Sequence, residues 1–341
     1  MQVFSSNCIG IDLGTANTLV CTKDKGIIIR EMSAVAFDNK NERIIAVGNE
    51  AKKLIGKTAS NISVVRPLKG GVIADFEITL TMLRLFLKKA MNNSLFAKPR
   101  VIVCIPYGVS EVEHRALENA AFEAGASAVA LIEEPVAAAI GAGINFKNPV
   151  GNMVVDIGGG TTEVAVVTAG GVAVSNSIRV AGDELDAAII EYIRKKFNVV
   201  IGENTAEDIK KEIGSAHPAS DNGMLSVRGR NLITSLPSVF NLYSEEIRHA
   251  ISEPVLKMVE VIRSTLENTP PELCGDILTN GIMLTGGGAL LPGLAYLIHE
   301  KTHLDVYIAK KPLDCVAEGI LKVMSGPGYE SVLKHAVRNT N

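Results

Sequence analysis

The 341-residue sequence contains no tryptophan, and aromatic residues of all kinds make up only 4%. A core without rings has to be built from Val, Ile, Leu and Ala, and a hydrophobic content of 47% is enough to supply one. An excess of charge of either sign is also missing, since 34 Lys and Arg stand against 37 Asp and Glu for a net charge of −3. The chain therefore has no basic footprint for a phosphodiester backbone, and nucleic acid is excluded as an expected partner. Cysteine is sparse: the five at positions 8, 21, 104, 274 and 315 form no C-x-x-C pair and mostly lie inside apolar stretches such as Val101-Ile102-Val103-Cys104. That excludes a disulfide scaffold and predicts small buried hydrophobes in a reducing compartment. Long apolar runs are lacking too, because Ile282 to Ile298 is interrupted by Gly286-Gly287-Gly288 and Pro292 and cannot span a bilayer as a helix. Met1-Gln2-Val3-Phe4-Ser5-Ser6 carries no basic region ahead of an apolar segment. The expectation is a cytoplasmic protein whose membrane contact, if any, is peripheral.

What is present is length enough for two or three domains, and an internal repeat. Ile9-Gly10-Ile11-Asp12-Leu13-Gly14-Thr15-Ala16-Asn17-Thr18-Leu19-Val20 has the same grammar as Met153-Val154-Val155-Asp156-Ile157-Gly158-Gly159-Gly160-Thr161-Thr162-Glu163-Val164. Each is an apolar strand, an Asp, a Gly/Thr turn and a second β-prone run, which is the pattern of a hairpin with a permissive tip. The two copies lie a domain's length apart, and this predicts a duplicated α/β domain with equivalent loops facing each other. Between them, Arg100 to Pro106 reads as a buried strand, and Ser110 with Glu113 opens a helix reaching about Ala124. Ala128 to Ile132 reads as another strand, followed by a helix of small residues from Val136 to Ala142 that implies close packing. Residues 146–152 are the best linker between the halves. Beyond the second loop, helices are expected from Gly182 to about Phe197 and from Thr205, with an Asp208 capping box, to about Ala216. A long amphipathic helix bearing Ile247, Ile251, Val255, Met258, Val259, Ile262 and Leu266 should be kinked or split by Pro254. Strand Ile282 to Thr285 runs into the Gly286-Gly287-Gly288 turn, and a helix follows near Leu294. Strands alternating with helices place the chain in the α/β class.

Backbone N–H groups at a glycine-rich turn form a concave donor site for phosphate oxygens, because no Cβ blocks the approach. Two such loops, each preceded by an Asp, would clamp a triphosphate from both sides. Asp12 and Asp156 would repel phosphate directly but suit the water shell of a bridging Mg2+. One such loop alone is a tight turn; repetition, with Thr285-Gly286-Gly287-Gly288-Ala289-Leu290 as a third, favours a nucleotide. Leu54-Ile55-Gly56-Lys57-Thr58 ends like a P-loop, but Ala51 stands where that motif needs Gly, and no G-x-G-x-x-G follows the first strand. Glu133-Glu134-Pro135 ends a buried strand, and Pro135 is expected to keep Glu134 extended. One of these carboxylates would orient a water for attack on a γ-phosphate, or both merely cap the next helix. Glu207 and Lys210 share a helical face and would bracket a nucleoside, or form a surface ion pair.

These stretches resemble the actin, sugar-kinase and heat-shock-chaperone ATPase superfamily, and within it the MreB family of bacterial actin homologues, essentially from end to end. The resemblance is carried by residues 12–18, Gly71-Val72-Ile73-Ala74-Asp75-Phe76, Ile132-Glu133-Glu134-Pro135, residues 156–163, Thr205-Ala206-Glu207, Thr269-Pro270-Pro271-Glu272-Leu273 and residues 284–291. It implies duplicated actin-like, ribonuclease H-like domains with four subdomains around a nucleotide cleft: IA at 1–32, 66–145 and 316–341, IB at 33–65, IIA at 146–181 and 241–315, and IIB at 182–240. It implies ATP and Mg2+ as cofactors, with Asp12 and Asp156 serving the metal through water. By the same resemblance Thr15, Ala16, Asn17, Gly158, Gly159, Gly160 and Thr161 hold phosphates, while Glu207, Lys210, Gly287, Gly288 and Ala289 surround the nucleoside. Glu134 with Thr161 would position the hydrolytic water. The implied activity is ATP-dependent self-assembly into filaments at the inner membrane face, organising lateral cell-wall synthesis and rod shape with membrane proteins of the elongation machinery. Leu95 and Phe96, in a polar turn beside Lys98 and Arg100, are the implied lipid contact, although two isolated apolar residues also fold back onto a core. A small-molecule kinase of the same fold would need a cleft base for a substrate hydroxyl. A chaperone ATPase would need a substrate-binding domain, for which no segment is left before Asn341.

Overall fold

Strand Cys8–Leu13 turns at Gly14 into Asn17–Thr22 and then Gly26–Met32, an antiparallel meander of β-branched and aliphatic residues. The other edge of Cys8–Leu13 pairs in parallel with Arg100–Ile105, which pairs in parallel with Ala128–Glu133; Lys334–Ala336 closes that side antiparallel. The second half repeats this order. Asn152–Ile157, Thr162–Thr168 and Gly171–Ile178 form the meander, and Ile282–Thr285 then Val306–Ile308 add in parallel to its first strand. The repeat read from two loops is thus a repeat of whole sheets. Within each, the helix between the parallel strands (Glu111–Glu123 in one, Leu294–Thr302 in the other) covers a face, so the central strands are buried and read as near-continuous apolar runs. In this computed structural model residues 8–41, 43–92, 98–145, 148–169, 171–326 and 328–336 are described.

Two three-stranded sheets and the short ladder of Leu68–Lys69 with Val72–Ile73 accompany the main ones. Val35–Asp38 is flanked by Arg43–Val47 and Ile62–Val65, with the short helix Asn49–Lys52 beside them. Val199–Val200, Met224–Asn231 and Pro237–Tyr243 form the other, with helices Gly182–Phe197 and Glu203–Ile213. Cys8, Cys21, Cys104 and Cys315 are buried free thiols, and Cys274 is half-buried. No helix among the described residues is long and apolar enough to cross a membrane.

Three local readings need correction. Helix Ser244–Glu267 is continuous, with Pro254 inside it. The bond lost to proline is outweighed because Ile247, Ile251, Val255, Met258, Val259 and Ile262 are all buried on one face, which holds both halves of the helix to the core. The Thr205 capping box does not form; the helix starts at Glu203 behind Gly202, with Glu203 supplying negative charge at the helix N-terminus. Glu134 is the first helical residue rather than an extended one, because Pro135 is accommodated in the first turn, where its missing N–H has no helical partner to lose.

The two halves meet where the helix after each last parallel strand, Glu134–Ala142 in one and Cys315–Ser325 in the other, crosses its counterpart. The axes approach closely because Gly141 lies against the Cys315 carbonyl and Gly319 against the Ala137 carbonyl; a Cβ at either would overlap that oxygen. Lys322 Nζ donates to the Ile140 and Gly141 carbonyls at 2.7 and 3.1 Å, satisfying the end of the first helix. Gly319→Ala is expected to force this crossing apart and lower stability by about 2 kcal/mol or more. Thermal unfolding of the variant beside an exposed Ala substitution on the same helix checks it; matching midpoints would refute the close crossing.

Candidate functional site

The two repeated hairpins have the same turn. Gly14 N–H donates to the Asn17 carbonyl at 3.1 Å and Gly158 N–H to the Thr161 carbonyl at 2.9 Å. Their tips meet face to face: a Cβ on Gly159 would stand 2.5 Å from the Ala16 Cβ, and one on Gly160 2.7 Å from Thr15 Oγ1. Glycine is required here because only bare backbone fits between the loops. The third glycine turn packs onto the second, with Gly286 and Gly288 against Ile157, and Thr285 Oγ1 donates to Asp156 Oδ1 at 2.6 Å. Helix Gly182–Phe197 is tied to the same place, since Gly182 and Asp183 N–H donate to the Gly158 and Gly159 carbonyls at 3.3 and 2.8 Å. Thr15 is buried and its Oγ1 accepts from Gly71 N–H at 2.8 Å. Thr161 and Ala289 are buried, and Asn17 is exposed.

Beneath these loops Asp12, Glu134, Asp156 and Glu163 crowd together. Asp12 is half-buried, and burial and then the Asp156 charge push it up to about 7. Burial raises Glu134 well above the usual carboxylate range, and Glu163, Asp12 and Asp156 raise it further. Burial raises Asp156 also, against the Thr285 hydrogen bond. Glu163, the cross-strand neighbour of Asp156, is raised by burial and by Asp156, with relief from the Tyr107 backbone amide; neither of its oxygens has a well-formed hydrogen bond among the described residues. None of the four forms an ion pair among the described residues. Buried like charges without a counterion are strongly unfavourable, and among the described residues no three His, Cys, Asp or Glu side chains converge to ligate a metal ion directly.

The structure separates Glu133 from Glu134. Glu133 points to Lys334, 2.7 Å away, while Glu134 joins the buried acids. Glu207 and Lys210 are not paired with each other. Lys210 Nζ donates to the Gly182 carbonyl and to Asp186, both at 2.9 Å, which places it behind the second loop. Glu207 binds Lys211 on its own helix and Lys52 from the first half of the chain. The sequence reading missed Lys52, Arg66 and Asp183. Arg66 Nη2 sits 2.9 and 2.8 Å from the two Asp183 oxygens, and these partners are 117 residues apart, a separation that leaves no local signal. Leu95 and Phe96 lie outside the described residues.

Residues 6–329 match the family model described as MreB/Mbl protein. The chain belongs to the MreB/Mbl family. It is 50% identical over 319 residues to the cell shape-determining protein MreB of Escherichia coli (strain K12), covering 92% of each chain. It is 48% identical over 311 residues to the cell shape-determining protein Mbl of Bacillus cereus, covering 91% of this chain and 93% of that one. Among solved structures, MreB 5 of Spiroplasma citri bound to AMPPNP superposes with a TM-score of 0.88 at 41% identity, over 92% of this chain and 94% of that one. The MamK double helical filament, at 21% identity and a TM-score of 0.80 over 94% of this chain and 99% of that one, shares the actin-like fold. In an MreB/Mbl chain the acids and glycine loops thus lie on a duplicated α/β frame.

Asp12 yields a stability test. Its native pKa of about 7 exceeds the ordinary aspartate value of 3.8, so the native state holds the proton more tightly and stability falls as pH rises through that window. Above pH 7 the full penalty is roughly 4 kcal/mol. Asp12→Asn, without nucleotide or metal, is expected to melt higher than the parent at pH 8 and to show a flatter decline between pH 5 and pH 8. Parallel melting curves for the two proteins would contradict this.

Proposed function

We propose that the chain binds Mg-ATP between the two hairpin loops and hydrolyses it as it polymerises into filaments at the inner face of the cytoplasmic membrane, organising lateral cell-wall synthesis and rod shape. The observation that carries this reading is the face-to-face contact of two glycine loops above a cluster of uncompensated buried acids. The names of the Escherichia coli and Bacillus cereus relatives, cell shape-determining proteins, support it, as do the AMPPNP-bound and ADP-bound structures of MreB 5 of Spiroplasma citri.

Thr15, Ala16, Asn17, Gly158, Gly159, Gly160 and Thr161 surround the phosphates with backbone N–H groups and hydroxyls. Asp12 and Asp156 would hold Mg2+ through water, and the metal would supply neutralisation of phosphate charge. Gly287, Gly288 and Ala289 line the nucleoside with Glu207 and Lys210. Glu134 accepts the proton of the attacking water while Thr161 fixes its position; the new P–O bond forms as the bond to the β-phosphate oxygen breaks and ADP leaves. Burial and the neighbouring acids favour the protonated form of Glu134, so it would act as base once a bound cation offsets their charge and leaves it ionised. Glu134→Ala should therefore keep ATP affinity and lose phosphate release by about a hundredfold, whereas Glu133→Ala, which frees only Lys334, should change release little. Phosphate release that survives loss of Glu134 and fails with loss of Glu133 would reverse the assignment.

Self-assembly has a surface argument beside the family one. Hairpin Met224–Asn231 to Pro237–Tyr243 exposes Leu232, Ile233 and Leu236 at its tip and Met224, Val239 and Tyr243 on its outer face. Leu278, Tyr307 and Ile308 are exposed on separate elements of the second half. Apolar residues on two different faces suit a head-to-tail contact, which is open-ended and yields filaments. The membrane contact is assigned to Leu95 and Phe96, each weak alone and firm when a filament repeats it. Electron microscopy with ATP on a lipid layer, run beside Leu95→Ser/Phe96→Ser, is expected to show lipid-bound filaments for the parent and detached filaments for the variant. An absence of filaments in both would overturn the assembly reading, and equal lipid binding would move the contact elsewhere.

A further inference from the structure

Two rigid pieces from opposite halves of the chain meet at one ion pair, Lys52 Nζ to Glu207 Oε2 at 2.7 Å. The Lys52 side is fixed to the first domain's meander by Asn49: its side chain accepts from Met32 N–H at 3.1 Å and donates to the Arg30 carbonyl at 3.0 Å, and its own N–H donates to Glu31 Oε2 at 2.8 Å. The Glu207 side is fixed to the second phosphate loop through Lys210, which holds the Gly182 carbonyl from the next turn of the same helix. Arg66 and Asp183 form a second bridge between the same two halves. Lys52 and Glu207 are 37% and 28% exposed, so the contact is neither fully solvated nor sealed.

We infer that Lys52 is a positioning residue for the nucleoside end of the cleft: it holds Glu207 aimed inward and ties the halves together over the bound sugar. This rests on the reading that Glu207 lines the nucleoside, and takes the ribose as the part of it that Glu207 meets. A carboxylate has acceptor sites for about four hydrogen bonds, and Lys211 on Oε1 with Lys52 on Oε2 use two of them. Capacity therefore remains for ribose hydroxyls, and the lysines orient the acceptor without displacing its ligand. Lys211 comes from Glu207's own helix and orients it only locally, whereas Lys52 reaches it from the other domain. Partial burial opposes the charge on Glu207, but the hydrogen bonds from Lys211 and then Lys52 bring it down to about 2, so the bridge persists across physiological pH. A charge-assisted contact of this exposure changes a dissociation rate by about fivefold.

The test compares dissociation of Mg-ATP and of Mg-2′,3′-dideoxy-ATP from the full-length parent, Lys52→Met and Lys52→Arg, with phosphate release at saturating ATP measured alongside. The parent is expected to release the dideoxy nucleotide faster than ATP. Lys52→Met should release ATP about fivefold faster and narrow that gap, with turnover at saturation unchanged, and Lys52→Arg should restore the gap. If the parent does not distinguish the two nucleotides, Glu207 does not read the ribose and the inference falls with that reading. If the parent distinguishes them and Lys52→Met keeps the full gap and the parent's ATP release rate, Glu207 stands and the role of Lys52 is overturned.

Discussion

The structure depends on how closely the bare glycine backbone of one loop approaches the side chains of the other. Gly159 and Gly160 lie against Ala16 and Thr15 with no room for a Cβ, and every other feature of the cleft is arranged around that contact. The repeat makes it possible, because two copies of one hairpin present equivalent tips to each other. The same approach carries Asp12 and Asp156 into mutual repulsion, with Glu134 and Glu163 behind them. Acids so placed raise one another's affinity for protons and leave the folded chain short of positive charge. Stability is given up at the place where a bound cation would restore it, a trade commonly made at functional sites.

Much of this was legible because it is local. A glycine turn after an Asp at a strand end is written in consecutive residues, and so is the Ser110 and Glu113 capping box, which forms as expected. The small-residue run Ala137-Ala138-Ala139 announced a close crossing, though not its partner around Gly319. Resemblance then ordered the loops into one site, which spacing alone left divided between a nucleotide site and a set of tight turns.

What was not legible is set by distance along the chain or by competition between weak local terms. No pattern near Lys52 points to Glu207, and none near Arg66 points to Asp183, since these pairs exist only once both domains are folded. The pairing of Glu133 was not legible either, because Lys334 reaches it from the far edge strand. Pro254 was read by its cost to a helix, and burial of the residues around it outweighs that cost. The Thr205 box lost to a helix that begins two residues earlier.

The glycine crossing of helices Glu134–Ala142 and Cys315–Ser325 also sets the mechanics of the molecule. With backbone pressed on backbone, neither helix can carry a larger residue at the contact without a Cβ overlapping a carbonyl, so the crossing fixes the spacing of the two halves. Glu134 starts one of the crossing helices, and the other follows directly on Asp314, which the Arg30 guanidinium grips from the first domain. The spacing set at the crossing is thereby passed to Glu134 on one side and to the Arg30–Asp314 tie on the other.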